Sequence, residues 1–414
     1  MTLPIKKCSK YITTTGTYMM ATIIASLLSV LINPLLALNL SPKDYAIISY
    51  YTSFASLLTP VLGFFFTDYY LRKYYTKTAD ELKVIKASII KMLLLFSCIV
   101  SVISLAGIFI FVKSTNVSFD FSPYAILVIL QLYFNLFYTF KLAEYKIQRN
   151  SKAFFVASVV FGILGALLAL LLVVVVKGGA VGRLMASLLG SLIPFVWCLV
   201  KEREYLSIPI DKTVMKDAFL YGYPLVLAAM LSYFSTGYDK VVIEKMGDVT
   251  EMGYYAVACQ MYAYLNIFST AIKSTFQPDM FQAIAQKNTK KVLMVAGVVI
   301  ISVGVIVAVF ILFCPLLIRI LTAGRYVEST GYTQILALSV ITSTIYFQIS
   351  QYTYGSGLSK ITLYNKIIGS ILTICMLNTL VGHFGVSGAA WSSVFSYLIF
   401  AVGNFIFLII NKKS

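Results

Sequence analysis

The sequence predicts an all-α integral membrane protein with twelve transmembrane helices in two parallel six-helix repeats around a central cavity. Three observations lead to this fold class: an apolar composition, long uncharged runs, and a repeat at half the chain length. Of the 414 residues, 59% are hydrophobic and 12% are charged, whereas soluble domains carry about 25% charged residues. The composition therefore belongs to the membrane class.

Long runs without Asp, Glu, Lys or Arg mark the helices, since a spanning helix needs roughly 20 mainly apolar residues. The eleven runs are 11–42, 45–67, 92–112, 121–140, 153–176, 184–200, 218–238, 252–272, 292–318, 329–359 and 367–411. The last is long enough for two helices with a turn at HFGVSG (His383–Gly388), which brings the count to twelve. Spanning strands need only about 10 residues of alternating polarity and are excluded.

The positive charges predict the orientation of these helices. With a cytoplasmic N-terminus, 25 of the 33 Lys and Arg residues fall on the inner side and 8 on the outer side. This bias matches the positive-inside rule and predicts that both termini are cytoplasmic. The net charge of +17 is spread over every second loop rather than concentrated on one element, so we expect no nucleic-acid partner.

Two sequence matches indicate an internal repeat. SPKDYAIISYY (Ser41–Tyr51) matches DVTEMGYYAVA (Asp248–Ala258) at an offset of 207 residues, and GAVGRLMASL (Gly179–Leu188) matches GVSGAAWSSV (Gly385–Val394) at 206. The offsets predict an N-lobe of residues 1–205 with helices 1–6 and a C-lobe of residues 206–414 with helices 7–12. An even helix number in each half makes the repeats parallel.

Polar stripes at helical spacing predict which helix faces line the cavity, because lipid penalises polar groups. On helix 1 the stripe comprises Thr15, Tyr18, Thr22, Ser26, Ser29 and Asn33, and on helix 8 it comprises Tyr262, Asn266, Thr270, Lys273 and Gln277. Small polar residues also let helices pack closely, and for helices 1 and 2 this alternative stays open. Helix 8 is the stronger candidate, since Lys273 needs water, an anion or a partner.

Asp239 and Lys240 lie near the outer end of predicted helix 7. Adjacent helical residues point about 100° apart, so Asp239 is predicted to continue the Ser232–Ser235 stripe and Lys240 to point elsewhere. We expect Lys240 to extend towards the outer head groups. Asp239 is either a polar interfacial residue or a cavity carboxylate that responds to an ion.

Three segments carry a resemblance to a known family. They are LYGYPLVLAAMLSYFSTGYDKVVIEKMGDVTEMGYYAVACQM (Leu220–Met261), LNLSPKDYAIISYYTSF (Leu38–Phe54) and TLYNKIIGSILTICMLNTLVGHFGVSGAAWSSVFSYL (Thr362–Leu398). The first resembles the helix 7–8 signature of polysaccharide-repeat flippases, in which an Asp–basic pair closes the helix, here Asp239 and Lys240. In order and spacing the whole chain is similar to the O-antigen (Wzx-type) flippase branch of the multidrug/oligosaccharidyl-lipid/polysaccharide exporter superfamily.

This resemblance implies a multi-pass protein of the bacterial inner membrane that moves an undecaprenyl-diphosphate-linked oligosaccharide from the cytoplasmic to the periplasmic leaflet. It implies alternating access driven by an H⁺ or Na⁺ gradient, with no cofactor, and a cavity lined by helices 1, 2, 7 and 8. The implied partners are membrane lipids, a polysaccharide polymerase and its chain-length machinery. Helix 1 carries no Arg or Lys, unlike some relatives, which leaves Lys273 as the clearest cation for the diphosphate.

Two other functions are weighed against this expectation. A multidrug or organic-cation exporter of the same superfamily predicts a carboxylate-rich cavity, yet the spans hold few acids: Asp239, with Asp68 and Glu144 near inner ends. A membrane polysaccharide polymerase or ligase needs a cluster of catalytic groups, usually in a large outer loop. The chain has one histidine, His383, and no nucleotide, metal or nucleophile motif, so we expect no enzyme.

Overall fold

The structure, a computed structural model, describes residues 5–115, 117–355 and 359–413. Thr15, Thr22 and Ser26 of the predicted helix 1 stripe lie outside the residues whose side chains are described. Throughout the described ranges the chain forms helices and no strand. The prediction of an all-helical membrane fold is confirmed.

The first half of the chain forms eight α-helices. They are α1 (Ile5–Asn39), α2 (Pro42–Ser53), α3 (Ala55–Gly63), α4 (Phe66–Lys73), α5 (Ala79–Thr115), α6 (Tyr124–Ile147), α7 (Ser151–Ala169) and α8 (Gly179–Lys201). A π-helical segment, Leu170–Val175, extends α7. Predicted helix 2 therefore consists of three consecutive segments. The first two are separated at Phe54, and the second ends before Phe64 and Phe65, which have positive φ angles.

The second half forms six more helices. They are α9 (Lys212–Thr236), α10 (Tyr238–Glu244), α11 (Val249–Ala285), α12 (Thr289–Leu321), α13 (Ser329–Gly355) and α14 (Ser359–Lys413). Within α14, Gly385 has φ 60° and ψ −143°, a left-handed conformation that favours glycine. This break divides α14 at the turn predicted from HFGVSG.

Nine stretches of the described chain are long and apolar enough to cross a membrane. The last of them, Tyr364–Ile409, includes the break at Gly385 and thus covers two predicted helices. α11 is absent from the nine because its polar stripe lowers the mean hydropathy. With α1, which the described side chains cover only in part, these helices match the twelve expected from the sequence.

Two compact units divide the chain. The first unit comprises residues 1–40 and 57–229, and the second unit comprises residues 41–56 and 230–414. The predicted boundary between residues 205 and 206 stays a prediction. In the first unit, the rings of Phe64, Phe66, Phe96 and Phe219 pack with centroids 5.0–5.5 Å apart.

The second unit has its apolar core between α11, α12 and α13. The buried residues of this core are Leu265, Val303, Val307, Ala337 and Val340. Outer helix α2 packs on α11, and Gly253 allows that approach because a side chain there would collide with the backbone of Pro42. This packing fixes one face of α11 and turns its polar stripe towards α13 and α14.

Candidate functional site: a lysine-bearing cavity in the second unit

A cavity of about 340 Å³ lies within the second unit, between the last turns of α9, the second half of α13, and α14. The lining residues are Leu231, Ser232, Ser235, Thr236, Tyr346, Phe347, Ser350, Gln351, Tyr354, Lys366, Ser370, Tyr397 and Phe400. They combine hydroxyl, amide and aromatic groups with one cation. No Asp or Glu is among them.

Lys366 is the charged group of this cavity. It lies seven residues after the start of α14 at Ser359, about two turns into the helix. Its Nζ donates a 3.2 Å hydrogen bond to Ser232 Oγ, and no carboxylate pairs with it in the described part of the chain. A cation held inside a membrane protein without an acidic partner is suited to bind an anionic ligand.

Hydrogen bonds hold the walls around Lys366. Ser370 Oγ donates to the Leu231 carbonyl at 3.1 Å, and Asn404 Nδ2 donates to Ser350 Oγ at 3.1 Å. By contrast, the buried Oγ of Ser235 has no hydrogen-bond partner in the described chain. A buried hydroxyl without a partner costs free energy, so this group is available to a ligand or to water.

Three of the predicted binding residues, all on α11, contact side chains that line this cavity. Lys273 Nζ lies 5.5 Å from the centre of the Phe347 ring, Gln277 Nε2 donates to Gln351 Oε1 at 3.3 Å, and Tyr262 lies beside Tyr397. Phe347, Gln351 and Tyr397 all line the cavity. The three α11 residues thus contact side chains of the lining without belonging to it, and their role in binding stays a prediction.

The other two predicted binding residues lie elsewhere. Asn266 is half-buried on α11, and its Oδ1 lacks a hydrogen-bond partner within the described residues. Asn33 belongs to the first unit, where it is buried on α1. Neither residue lines the second-unit cavity, and whether either contacts substrate stays a prediction.

Asp239 and Lys240 form an ion pair, which corrects the prediction that Lys240 points away towards head groups. Asp239 Oδ2 accepts from Lys240 Nζ at 2.8 Å and from the Tyr255 hydroxyl at 2.6 Å. Only 12% of the Lys240 side chain is exposed. Both residues belong to α10, and the long, flexible side chain of Lys240 folds back to reach the carboxylate of Asp239, although the two Cα–Cβ bonds point about 100° apart.

Lys366 is not among the binding residues predicted from the sequence, because the uncharged run 367–411 places it in the preceding loop. In the structure the helix begins earlier, at Ser359, so that Lys366 lies inside it. The signal was present as the stripe Lys366, Ser370 and Thr373, spaced by four and three residues. Reading stripes beyond the ends of uncharged runs would have found it.

A family model and solved structures place the chain among known membrane proteins. The model for the family "polysaccharide biosynthesis protein" matches residues 13–283, which is more than half of the chain. No curated protein sequence matches the chain.

The fold is shared with solved transporter structures. An inward-facing multidrug resistance MATE family transporter of the MOP superfamily aligns with a TM-score of 0.71 at 15% identity, over 94% of this chain and 96% of its own. The lipid II flippase MurJ, in an inward closed conformation, aligns with a TM-score of 0.73 at 15% identity, over 94% and 87%. A MOP superfamily transporter from Pyrococcus furiosus aligns with a TM-score of 0.62 at 14% identity, over 97% and 95%.

These identities are low, and the structural matches therefore establish the fold alone. The family and its structural neighbours are transporters and flippases rather than enzymes. Together with the nine apolar spans, they make this a multi-pass membrane protein with the fold of the MOP superfamily. By its match over residues 13–283, the chain belongs to the polysaccharide biosynthesis protein family.

Proposed function

We propose that this chain is a flippase that moves an undecaprenyl-diphosphate-linked oligosaccharide repeat unit across the bacterial inner membrane. The unit passes from the cytoplasmic to the periplasmic leaflet and serves O-antigen or related surface polysaccharide biosynthesis. One observation carries the proposal: Lys366 lies in a cavity rich in hydroxyl, amide and aromatic groups, and none of the described residues that line it is a carboxylate.

The chemistry of the cavity fits both parts of such a substrate. A diphosphate is stabilised by a fixed ammonium group through charge-assisted hydrogen bonds, and Lys366 offers that group. Hydroxyl and amide side chains such as Ser350 and Gln351 can exchange hydrogen bonds with sugar hydroxyls. Lys273, whose Nζ lies 5.5 Å from the centre of the Phe347 ring, supplies a second positive charge nearby.

An H⁺ or Na⁺ gradient drives alternating access in this proposal, with Asp239 as the residue that senses the ion. The support is the burial of Asp239, which is 8% exposed, and its Oδ1 atom, which has no hydrogen-bond partner in the described chain. Both termini are cytoplasmic, as the lysine and arginine distribution favours. A polymerase with its chain-length machinery then receives the unit in the periplasmic leaflet.

Export of organic cations is the second candidate, since a multidrug transporter has the same fold. A cation exporter needs an acidic group free to bind its substrate. Among the described residues that line the second-unit cavity there is none, and Asp239 does not belong to this lining. The charge of the cavity therefore favours an anionic substrate.

A deletion strain with radiolabelled lipid-linked intermediates tests the proposal. Without the protein, complete but unpolymerised repeat units should accumulate on the inner leaflet, and the wild-type gene should clear them and restore polymer. Loss of drug resistance without such accumulation would instead support the exporter. Polymer loss with repeat units accessible on the periplasmic side would support a polymerase or ligase.

A further inference from the structure

A second polar cavity, which the proposed function does not use, lies within the first unit. It has a volume of about 560 Å³ and is lined by residues of α1, α6, α7 and α8. Gln131, Asn135 and Tyr138 of α6 face it, and their spacing of four and three residues puts them on one side of the helix. Lys146 lines its far end, about 22 Å along α6 from Gln131 at 1.5 Å per residue. The cavity is therefore a long cleft.

The charged residues that line this cleft in the described part of the chain are positive. They are Arg183 of α8 and Lys146 of α6, and no Asp or Glu is among the described lining residues. Lys146 Nζ lies 5.0 Å from the centre of the Phe154 ring, which holds its charge at the cleft wall. A guanidinium group presents a planar fork that matches a carboxylate or phosphate. The charge pattern selects an anionic group over an organic cation.

The cleft also has donor groups and space for a ligand. Ser158 is 8% exposed and lies next to Tyr138, yet its buried Oγ lacks a hydrogen bond of normal geometry to any of the described residues. A Cβ atom added at Gly165, another lining residue, would meet nothing within 4 Å. A bound polyol can therefore satisfy the serine hydroxyl and occupy the space beside the glycine.

Comparison of the two repeats shows that the arginine at position 183 occurs in the first half of the chain only. In the matched segments GAVGRLMASL and GVSGAAWSSV, Arg183 corresponds to Ala389. Both segments begin a helix with the same glycine pair, so the packing they share does not require arginine. Ala389 is fully buried in the second unit, whereas Arg183 is half-exposed to the cleft.

We propose that this first-unit cleft is a binding subsite for the glycan portion of the substrate, with Arg183 binding an anionic group and the α6 amides binding sugar hydroxyls. The inference rests on the proposed function. It adds a substrate class, namely a glycan with an anionic group that binds in the cleft. That anion is a sugar carboxylate or the diphosphate itself, and the two sources differ in the small molecules that compete for the site.

Trp197 provides a direct binding signal. Its ring packs 5.4 Å from Phe161, which lines the cleft, and in a Trp391→Phe background it is the sole tryptophan. Its emission should be titrated in detergent-purified full-length protein with trigalacturonate, pyrophosphate and neutral maltotriose. Saturation by trigalacturonate assigns the anion to a sugar, and saturation by pyrophosphate assigns it to the diphosphate. No saturation with either anion, or equal saturation with maltotriose, overturns the proposal.

Two variants test whether the signal arises in the cleft. Arg183→Gln should weaken the apparent affinity for the anion about tenfold, with Arg183→Lys in between, since charged hydrogen bonds are the stronger ones. Gly165→Leu should block binding by filling the cleft. Gly107→Leu is the matched control, because Gly107 also has open space around it but lies on an exposed face of α5. Unchanged affinity in both Arg183→Gln and Gly165→Leu, with thermal unfolding unaltered, contradicts the assignment.

The deletion strain separates this inference from the proposed function. Wild-type protein that restores polymer, together with Arg183→Gln protein that equals it in both binding and polymer output, overturns the subsite and leaves the flippase intact. Wild-type protein that clears no lipid-linked units overturns the flippase, and the tryptophan titration then decides the cleft by itself.

Discussion

Lys366 and Lys273 are both half-buried, and neither forms an ion pair with a carboxylate in the described part of the chain. They differ in what they touch. Lys366 lines the cavity, and its Nζ donates to the hydroxyl group of Ser232, whereas Lys273 lies against the ring of Phe347. A ligand in the cavity therefore meets Lys366 directly and Lys273 through an aromatic side chain.

Substitution of Lys366 should impair transport in a charge-dependent way. We expect Lys366→Gln to lower polymer output about tenfold or more, because a hydrogen bond to a charged group contributes about 1.5–3 kcal/mol. Lys366→Arg should preserve part of the output and Lys366→Glu should abolish it. Lys290→Glu, on the exposed first turn of α12, is the control. If Lys366→Glu protein gave wild-type polymer output at matched membrane abundance, Lys366 would not be a substrate-binding residue.

Lys273 should tolerate neutral substitution better than Lys366. A cation–π contact that solvent reaches contributes about 0.5–1 kcal/mol, so Lys273→Gln, at this half-buried position, should lower polymer output only a few-fold. Lys273→Glu should have a much larger effect if Lys273 contacts the diphosphate, since it would repel the anion. Polymer output should be compared at equal protein levels in the membrane. Normal output from Lys273→Glu rules out Lys273 as a substrate-binding residue.

The Asp239–Lys240 pair requires a double variant, since removal of one partner leaves the other charge buried. We expect Asp239→Asn to lower both transport and membrane abundance, because breaking a buried pair costs about 3–5 kcal/mol. Asp239→Asn combined with Lys240→Gln should restore abundance, measured by blotting of membranes. If Asp239 senses the coupling ion, polymer output should stay low in this double variant. Recovery of both quantities would make the pair purely structural.

At the scale of helices, four buried charges join α5, α6 and the segment after α8. Lys86 contacts Glu144 at 2.5 Å and Glu202 at 2.7 Å, and Lys141 contacts Glu144 at 2.6 Å as well as Glu202. Each cation thus bridges both carboxylates, and the cluster is neutral. Such a closed network stabilises the helices it joins only while all four members are present.

Glu202→Gln should therefore destabilise the first unit. The loss should be about 3–5 kcal/mol, because two buried lysines would share one carboxylate. It should appear as a lower unfolding temperature in detergent, with Glu204→Gln, an exposed neighbour, as the control. A Glu202→Gln protein as stable as wild type would mean that water already screens the cluster.

The same cluster gives stability a pH dependence. Burial raises the pKa of Glu202, but the hydrogen bonds from Lys141 and Lys86 lower it by more than burial raises it. The pKa of Glu202 therefore lies below its ordinary value. A carboxyl whose folded pKa is depressed contributes stability above its unfolded pKa of about 4.3. That contribution is lost as the pH falls through the folded pKa. Glu202→Gln should therefore flatten the decline of unfolding temperature below about pH 4.3.

Helix positions followed from the sequence, whereas helix interruptions did not. Uncharged runs locate spans because lipid excludes charge, and the repeat located equivalent glycines. A Cβ at Gly182 would lie 2.6 Å from the Leu172 carbonyl, and one at Gly388 would press on the Leu380 carbonyl, so both glycines let a helix start close to the preceding helix. The breaks at Phe64 and Gly237 depend on tertiary packing that no local pattern records.

The candidate site was predictable only in part for a related reason. The sequence pattern predicts a polar face on α11, and three residues of this stripe contact side chains of the cavity lining. Which of two facing helices supplies the cation depends on how each helix is rotated about its axis, and the spacing of polar residues along one helix does not determine that rotation. The position of Lys366 in the cavity and the ion pair of Lys240 are therefore visible only in the three-dimensional structure.

For the whole molecule, the distribution of Lys and Arg makes a prediction that local packing cannot. With 25 of these residues expected inside and 8 outside, both termini and every second loop should be cytoplasmic. In a variant without the six native cysteines, single cysteines at Lys177 and Asp248, exposed at the starts of α8 and α11, should react with an impermeant maleimide in intact cells. Cysteines at Lys77 and Lys287, exposed before α5 and α12, should react only after permeabilisation. Because each pair of sites samples both halves of the chain, the reverse pattern in one half alone would contradict parallel repeats, and the reverse pattern in both would invert the orientation of the carrier.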